Sequence, residues 1–246
     1  MNVLDAMKDI IKHTHSLGFI DAVKVMGTPV DAKIETKDAD NTIVIFGTMY
    51  QPIDGIESTI GLSRMGVLKG FIGMHETSTI TVVKEPKNNV DIPVSILFDN
   101  KAEFTSSYRL MGESMINDQV KIPPFKGATW DIVLTPAIAS IKTLSECSGT
   151  IGTSEKRFSV SVDAKGTLKF NIGDGPSDKV VVPFATNVTG TLKHKWTYPL
   201  AQTLSILKLA DSSSTTTMSF SDMGAMKIDI DSGIGKYSYI LPAGRD

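Results

Sequence analysis

The chain contains 246 residues, of which 41% are hydrophobic and 21% charged, and its net charge is −2. This composition is typical of a folded protein with one large or two ordinary domains. It excludes a disordered chain and a protein that coats DNA through bulk positive charge. No stretch approaches the ~18 consecutive apolar residues of a membrane span. Acidic residues near the N-terminus argue against a signal peptide, and the single cysteine, Cys147, excludes an internal disulfide. We therefore expect a cytoplasmic protein without a membrane partner.

Four segments place apolar residues every three or four positions, as an amphipathic helix does. These segments are residues 2–15, 63–74, 135–147 and 199–210. The third segment begins with Thr135 and Pro136, which suit an N-cap and a first helical position. The second segment is the weakest helix prediction, because it contains three glycines and each costs ~1 kcal/mol relative to alanine.

Most of the remaining sequence predicts β-strands, since β-branched and aromatic residues lie between turn signals. The predicted strands are residues 41–50, 78–85, 94–100, 102–111, 179–184, 190–198, 215–221, 225–231 and 237–241. Residues 157–175 predict a hairpin that turns between Asp163 and Gly166. In the C-terminal strand, Tyr237, Tyr239 and Leu241 share one face, and Pro242 prevents further strand pairing. A strand that only closes a sheet would show the same pattern.

The four predicted helices recur at similar intervals along the chain. Their centres lie near residues 9, 69, 141 and 205, about 60, 72 and 64 residues apart. Several strands follow each helix, and residues 112–127 are polar and poor in strand signals. We therefore predict an α+β protein of two similar domains, each with two helices packed on antiparallel sheets. The predicted domains are residues 1–112 and 127–246, joined by a linker at 113–126.

Charge is distributed unevenly between these elements. The predicted helices carry three acidic residues: Asp5, Asp9 and Glu146. They carry six basic residues: Lys8, Lys12, Arg64, Lys69, Lys142 and Lys208. The helices therefore have a net charge of 6 − 3 = +3, and the rest of the chain has −2 − 3 = −5. Solvated helix faces of no special function can also produce such an asymmetry.

The order of these elements resembles that of a DNA sliding clamp of the proliferating-cell-nuclear-antigen type. It is most similar to the trimeric clamps of T-even-like bacteriophages. The resemblance is carried by "FKGATWDIVLTPAIASIKTLSECS", "WTYPLAQTLSILKLADSSSTTTMSF" and "SDMGAMKIDIDSGIGKYSYILPA" in the C-terminal half. In the N-terminal half only "GLSRMGVLKGFIG" is persuasive. Such clamps typically end in a Tyr-Leu-Ala-Pro-like run, whereas this sequence has Leu-Pro-Ala at 241–243.

The resemblance implies a function and an assembly. It implies a head-to-tail homotrimer that encircles double-stranded DNA without sequence specificity and acts as a DNA polymerase processivity factor. The implied partners are a replicative DNA polymerase and a clamp loader ATPase, and the implied location is on replicating DNA, in the host cytoplasm if the protein is viral.

The resemblance also implies roles for particular residues. The six basic residues named above would face DNA. A partner-docking pocket would be formed by Ile122, Pro123, Tyr239, Ile240, Leu241 and Pro242. As a candidate subunit interface, we expect residues 81–86 of one subunit to pair with residues 158–163 of the next.

Motifs of catalysis or metal binding are absent from the sequence. There is no P-loop, HExxH, CxxC or GxSxG motif. His13 and His15 are two residues apart on a predicted helix, so their rings point apart. We therefore expect no catalytic site, metal or cofactor. Two alternatives remain: a β-rich virion protein of the tail or capsid, and a β-rich enzyme whose acidic residues meet only in the folded chain.

Overall fold

The computed structural model describes residues 1–75, 78–87, 89–100, 104–122, 127–151, 154–173, 178–210 and 215–244. The chain forms two compact units. The first comprises Met1–Pro123 and Ser232–Tyr237, and the second comprises Pro124–Asp231 and Ser238–Asp246. Each unit combines helices with antiparallel sheets, which confirms the α+β prediction.

The first unit contains three α-helices and seven complete strands among its described residues. The helices are α1 (Val3–His13), α2 (Met65–Met74) and α3 (Glu113–Gln119). The strands are β1 (Ala22–Gly27), β2 (Ala32–Lys37), β3 (Val44–Met49), β4 (Thr59–Ser63), β5 (Thr79–Lys87), β6 (Val90–Asp99) and β7 (Thr105–Arg109). One sheet has the order β4-β1-β2-β3, and a second has the order β5-β6-β7.

The second unit contains two α-helices among its described residues, α4 (Ile138–Ile151) and α5 (Leu200–Leu207). Its strands are β8 (Ile132–Leu134), β9 (Arg157–Val162), β10 (Leu168–Ile172), β11 (Val180–Ala185), β12 (Thr197–Pro199), β13 (Thr215–Ser221) and β14 (Ala225–Asp231). One sheet has the order β11-β10-β9-β12, and β14, β13 and β8 follow one another in the other. The last strand, β15 (Gly235–Pro242), begins in residues of the first unit and ends in residues of the second.

The four predicted helices all form, because each has an apolar stripe to bury. In α1, Met7 and Ile10 are almost fully buried, and the side chain of Asn2 caps the helix by accepting a 2.8 Å hydrogen bond from the Asp5 N–H. Helix α2 forms despite its glycines, since Leu68 and Ile72 are buried. Burial of an apolar face outweighs the low intrinsic helix propensity here.

The predicted hairpin also forms, as strands β9 and β10. The Asp163 carboxylate accepts hydrogen bonds from the backbone N–H groups of Lys165 and Thr167, at 2.9 and 3.0 Å. Gly166 supplies the positive φ of 73° that closes the turn. Phe170 of β10 stacks on Phe184 of β11, with ring centroids 4.2 Å apart, in the core of the second unit.

The structure differs from the prediction between residues 113 and 126. Instead of an extended linker, Glu113–Gln119 form helix α3, which packs on β1 and β4. Ile116 is fully buried against Ala22 and Val120. This short helix therefore belongs to the first unit, and residues 123–126 lie outside the described residues.

The predicted strand at 190–198 is mostly a loop, and only Thr197 and Tyr198 belong to a strand, β12. The Asp222 carboxylate accepts hydrogen bonds from the N–H groups of Lys193 and His194, at 2.7 and 2.9 Å. Because these two backbone N–H groups bond to a carboxylate, they are not available for hydrogen bonds to a neighbouring strand. Strands β1, β2 and β4 were not predicted.

Candidate functional site

Two helices of the first unit present four basic side chains to solvent. Lys8 and Lys12 lie on the exposed side of α1, opposite its buried stripe. Arg64 immediately precedes α2, with a positive φ of 51°, and Lys69 lies on the exposed side of that helix. Helices α1 and α2 pack against each other, so the four cations belong to one helix pair.

One acidic residue of α1 is withdrawn from this exposed side. The carboxylate of Asp9 accepts hydrogen bonds from the Tyr237 hydroxyl at 2.8 Å and the Ser232 hydroxyl at 3.1 Å. Burial raises the pKa of Asp9, and the two hydrogen bonds oppose that rise. The His13 ring stacks on the Tyr237 ring, with centroids 4.2 Å apart. Asp9 is therefore part of a largely buried polar cluster, although the positive charge of Lys12 also acts to lower its pKa.

The second unit repeats the arrangement with fewer charges. Lys142 is exposed on α4, and Lys208 is exposed at the C-terminal end of α5. Lys208 is well placed there, because the C-terminal end of a helix favours positive charge. Helices α4 and α5 also pack against each other. The exposed acids of the predicted helices are Asp5 and Glu146, so their exposed net charge is 6 − 2 = +4.

The C-terminal strand is more buried than its proposed docking role requires. Tyr239 and Leu241 are fully buried, Ile240 is 6% exposed, and Pro242 is exposed. Beyond the strand, the Ala243 N–H donates to the Gly224 carbonyl at 2.9 Å. Within the second unit, Pro242 is therefore the predicted docking residue whose side chain is freely accessible.

The predicted linker wall lies in the first unit. Ile122 is half-buried and packs against the cluster formed by Ala22, Ile116 and Val120. Pro123, the second predicted linker residue of the pocket, lies outside the described residues.

One of the two predicted interface segments does not lie at the edge of a sheet. Residues 158–163 fall largely in β9, which lies between β10 and β12. The prediction that these residues offer a free edge is therefore wrong. The segment 81–86 lies in β5, which does form an edge, and β7 and β11 are edges as well.

A groove in the first unit was missed by sequence reasoning. It has a volume of about 770 Å³ and lies between the start of β4, the hairpin of β5 and β6, and the start of α3. Its lining residues include Thr59, Lys87, Val90, Ile92, Glu113 and Met115. No single motif signals it, because three segments distant in sequence form it.

Within the described ranges, no group of three or more His, Cys, Asp or Glu side chains could hold a metal ion. No helix in the described parts of the chain is long and apolar enough to cross a membrane.

Comparison with known proteins identifies the fold. No family model and no curated protein sequence matches the chain. Among solved structures, it is similar to Archaeoglobus fulgidus PCNA bound to the C-terminal region of FEN-1, with a TM-score of 0.73 and 13% identity over 99% of this chain and 96% of that chain. It is also similar to Thermococcus kodakaraensis PCNA, with a TM-score of 0.71 and 10% identity over 97% of both chains.

A third similar structure is the PCNA2–PCNA3 complex of Sulfolobus tokodaii, with a TM-score of 0.63 and 14% identity over 98% of this chain and 96% of that chain. The chain therefore has the sliding-clamp fold over nearly its whole length, as the sequence resemblance predicted.

Proposed function

We propose that the chain is a DNA polymerase processivity factor, a sliding clamp that encircles duplex DNA and tethers the replicative polymerase. The observation that carries this proposal is the clamp fold over almost the whole chain. The alternative of a tail or capsid protein is not supported by any similarity found. A clamp is a scaffold without catalytic activity, and the role requires no cofactor.

The six exposed cations are the proposed DNA-facing residues: Lys8, Lys12, Arg64, Lys69, Lys142 and Lys208. A ring that slides must contact phosphates without binding base edges, because base contacts would hold it at particular sequences. Scattered lysines meet this requirement. Because the chain as a whole is acidic, with a net charge of −2, the attraction to DNA is restricted to these helix faces.

The proposed assembly is a head-to-tail homotrimer in which β7 of one subunit pairs with β11 of the next. Both strands are sheet edges. Charged residues protect an edge from pairing, and β5 carries three: Lys84, Glu85 and Lys87. By contrast, β7 carries one, Arg109, and β11 carries none, with Val181 on β11 45% exposed. The two edges with fewer charges are the better candidates for a permanent neighbour.

Partner docking is proposed at the residues that the resemblance indicates: Ile122, Pro123, Tyr239, Ile240, Leu241 and Pro242. The burial of Tyr239 and Leu241 favours a supporting role for these two side chains, with Pro242 making direct contact. The proposed partners are the replicative polymerase and a clamp loader ATPase. The proposed location is on replicating DNA in the cytoplasm, and a phage-type clamp is proposed on the sequence resemblance alone.

Two measurements test the proposal together. Sedimentation should give a native mass near three times 26.6 kDa. After loading onto nicked circular DNA by the clamp loader from the same source, the protein should leave when the circle is cut, because topology and not affinity holds it. A stable monomer, or retention that does not change on linearisation, would contradict the proposed function.

A further inference from the structure

The groove in the first unit lies along the free edge of a sheet. Strand β4 is the edge strand in the order β4-β1-β2-β3. At Gly61 this edge is already occupied: the Gly61 N–H donates to the Met111 carbonyl, and the Met111 N–H donates to the Gly61 carbonyl, both at 2.8 Å. Gly61 therefore directs its backbone groups away from β1.

Thr59 directs its backbone groups the same way, because this direction alternates along a strand with a period of two. The residues on either side of Thr59 point towards β1 instead. The Gly27 N–H of β1, for example, donates to the Ser58 carbonyl at 3.2 Å. Ser58 and Ile60 thus serve β1, whereas Thr59 presents its N–H and C=O to the groove.

Among the described residues, none fills the position opposite Thr59. The antiparallel register that places Met111 opposite Gly61 would place residue 113 opposite Thr59. Instead, the chain leaves the sheet at Gly112, and Glu113 begins α3. In the described part of the chain, the two-residue extension of the pairing is therefore missing, and the groove lies where it would be.

The walls of the groove supply apolar contacts and two opposite charges. Val90 on the hairpin side is 62% exposed, and Met115 on the α3 side is 64% exposed. Exposed apolar side chains that flank one groove are typical of binding sites. Lys87 lies on the wall with Val90, and Glu113 lies on the wall with Met115.

We propose that this groove binds an extended peptide of a partner protein, which adds to β4 as a strand. One residue of the peptide would exchange two backbone hydrogen bonds with Thr59, in the manner of β-strand addition. An apolar side chain would lie between Val90 and Met115. Charge complementarity requires a basic residue towards Glu113 and an acidic residue towards Lys87. This surface is separate from the proposed C-terminal docking residues and uses only the first unit.

The test uses the full chain without DNA and a phage-displayed library of random twelve-residue peptides as the probe. Enriched peptides are synthesised and titrated by calorimetry against wild type and three variants. Thr59→Pro removes the outward N–H, a position where an edge strand tolerates proline. Met115→Asp places a charge in the apolar wall. Val30→Asp is the matched control, since Val30 is 74% exposed outside the groove.

We expect peptides with a central apolar residue between opposite charges. Their affinity should fall at least about tenfold with Met115→Asp and with Thr59→Pro, and stay unchanged with Val30→Asp. Hydrogen exchange at the Thr59 amide should slow in the complex. If Thr59→Pro does not fold, the Met115→Asp substitution, which is at an exposed position, and the hydrogen-exchange measurement still test whether the peptide binds in the groove.

Three results would overturn the proposal. The first is a library without binders, and the second is a set of binders that Met115→Asp does not weaken. The third is a change in native mass caused by Met115→Asp alone, since this would show that a second copy of the chain covers the groove. None of these results depends on DNA encirclement, so the proposed function is tested separately.

Discussion

The proposed ring can be broken by one substitution in strand β7. The Leu110 N–H donates to the Val94 carbonyl at 2.9 Å, and the Asn100 N–H donates to the Phe104 carbonyl at 3.4 Å. In this register the even-numbered residues of β7 bond to β6. Ser107 therefore directs its N–H and C=O outward, and Ser107→Pro removes that donor without removing a bond to β6.

The size of the effect follows from the number of hydrogen bonds that the substitution removes. A neighbouring subunit would exchange two backbone hydrogen bonds with Ser107, each worth about 0.5–1.5 kcal/mol net. Proline removes the donor, and its ring obstructs the paired acceptor, so each interface should lose about 1–3 kcal/mol. This loss corresponds to a roughly 5- to 150-fold weaker association at each interface.

Sedimentation velocity over a series of protein concentrations measures this change. Ser107→Ala is the matched control, because it removes the hydroxyl and keeps the N–H. Circular dichroism must show that both variants remain folded. If Ser107→Pro forms the trimer over the same concentrations as Ser107→Ala, β7 is not the subunit edge and the reasoning from its hydrogen-bond direction is wrong.

Three further predictions concern DNA, pH and partner binding. Replacing Lys12, Lys142 and Lys208 with alanine should lower the salt dependence of duplex binding by about 0.9 in the log–log slope for each phosphate that is no longer neutralised, whereas replacing three lysines outside the helices should leave it unchanged. Burial raises the pKa of Asp9, so its contribution to stability is greatest below its ordinary pKa of 3.8 and is lost as the pH rises through the raised value. Thermal denaturation should therefore show Asp9→Asn gaining stability over wild type with rising pH, and a constant difference would contradict this sign. Pro242→Asp should weaken calorimetric binding of a polymerase or loader peptide about tenfold while the trimer stays intact, and equal affinities would move the docking site elsewhere.

Helix α3 and strand β2 show where sequence patterns were insufficient. Ile116 is the one fully buried side chain of α3, so the helix has no apolar stripe to reveal it. Strand β2 alternates charged residues with Ala32, Ile34 and Thr36, which are all buried. That alternation is a strand signal, but it is short and carries fewer large apolar residues than the continuous β-branched runs that predicted the other strands.

The features of the candidate site that depend on one short segment could be predicted from the sequence, and those that depend on distant segments could not. The exposure of Lys8 and Lys12 follows from helical periodicity within one segment, and the structure places both in solvent. The burial of Tyr239 and Leu241 depends on which face of the strand is covered, and that is decided by distant segments. Periodicity assigned these two residues to one face correctly, yet it could not tell that this face is buried or that Ile240 on the opposite face is buried as well.

The first unit needs part of strand β15, which the ribosome makes after almost all of the second unit. Residues Ser232–Tyr237 belong to that unit, although 108 residues separate them from Pro123 in the sequence. At typical translation rates of 5–20 residues per second, that stretch takes on the order of ten seconds to emerge. During this interval the Asp9 carboxylate lacks the Tyr237 hydroxyl, which is 228 residues away in sequence. The first unit therefore cannot complete its core while the second is being made, and a ribosome-bound chain should expose the edge of β3 to chaperones until β15 arrives.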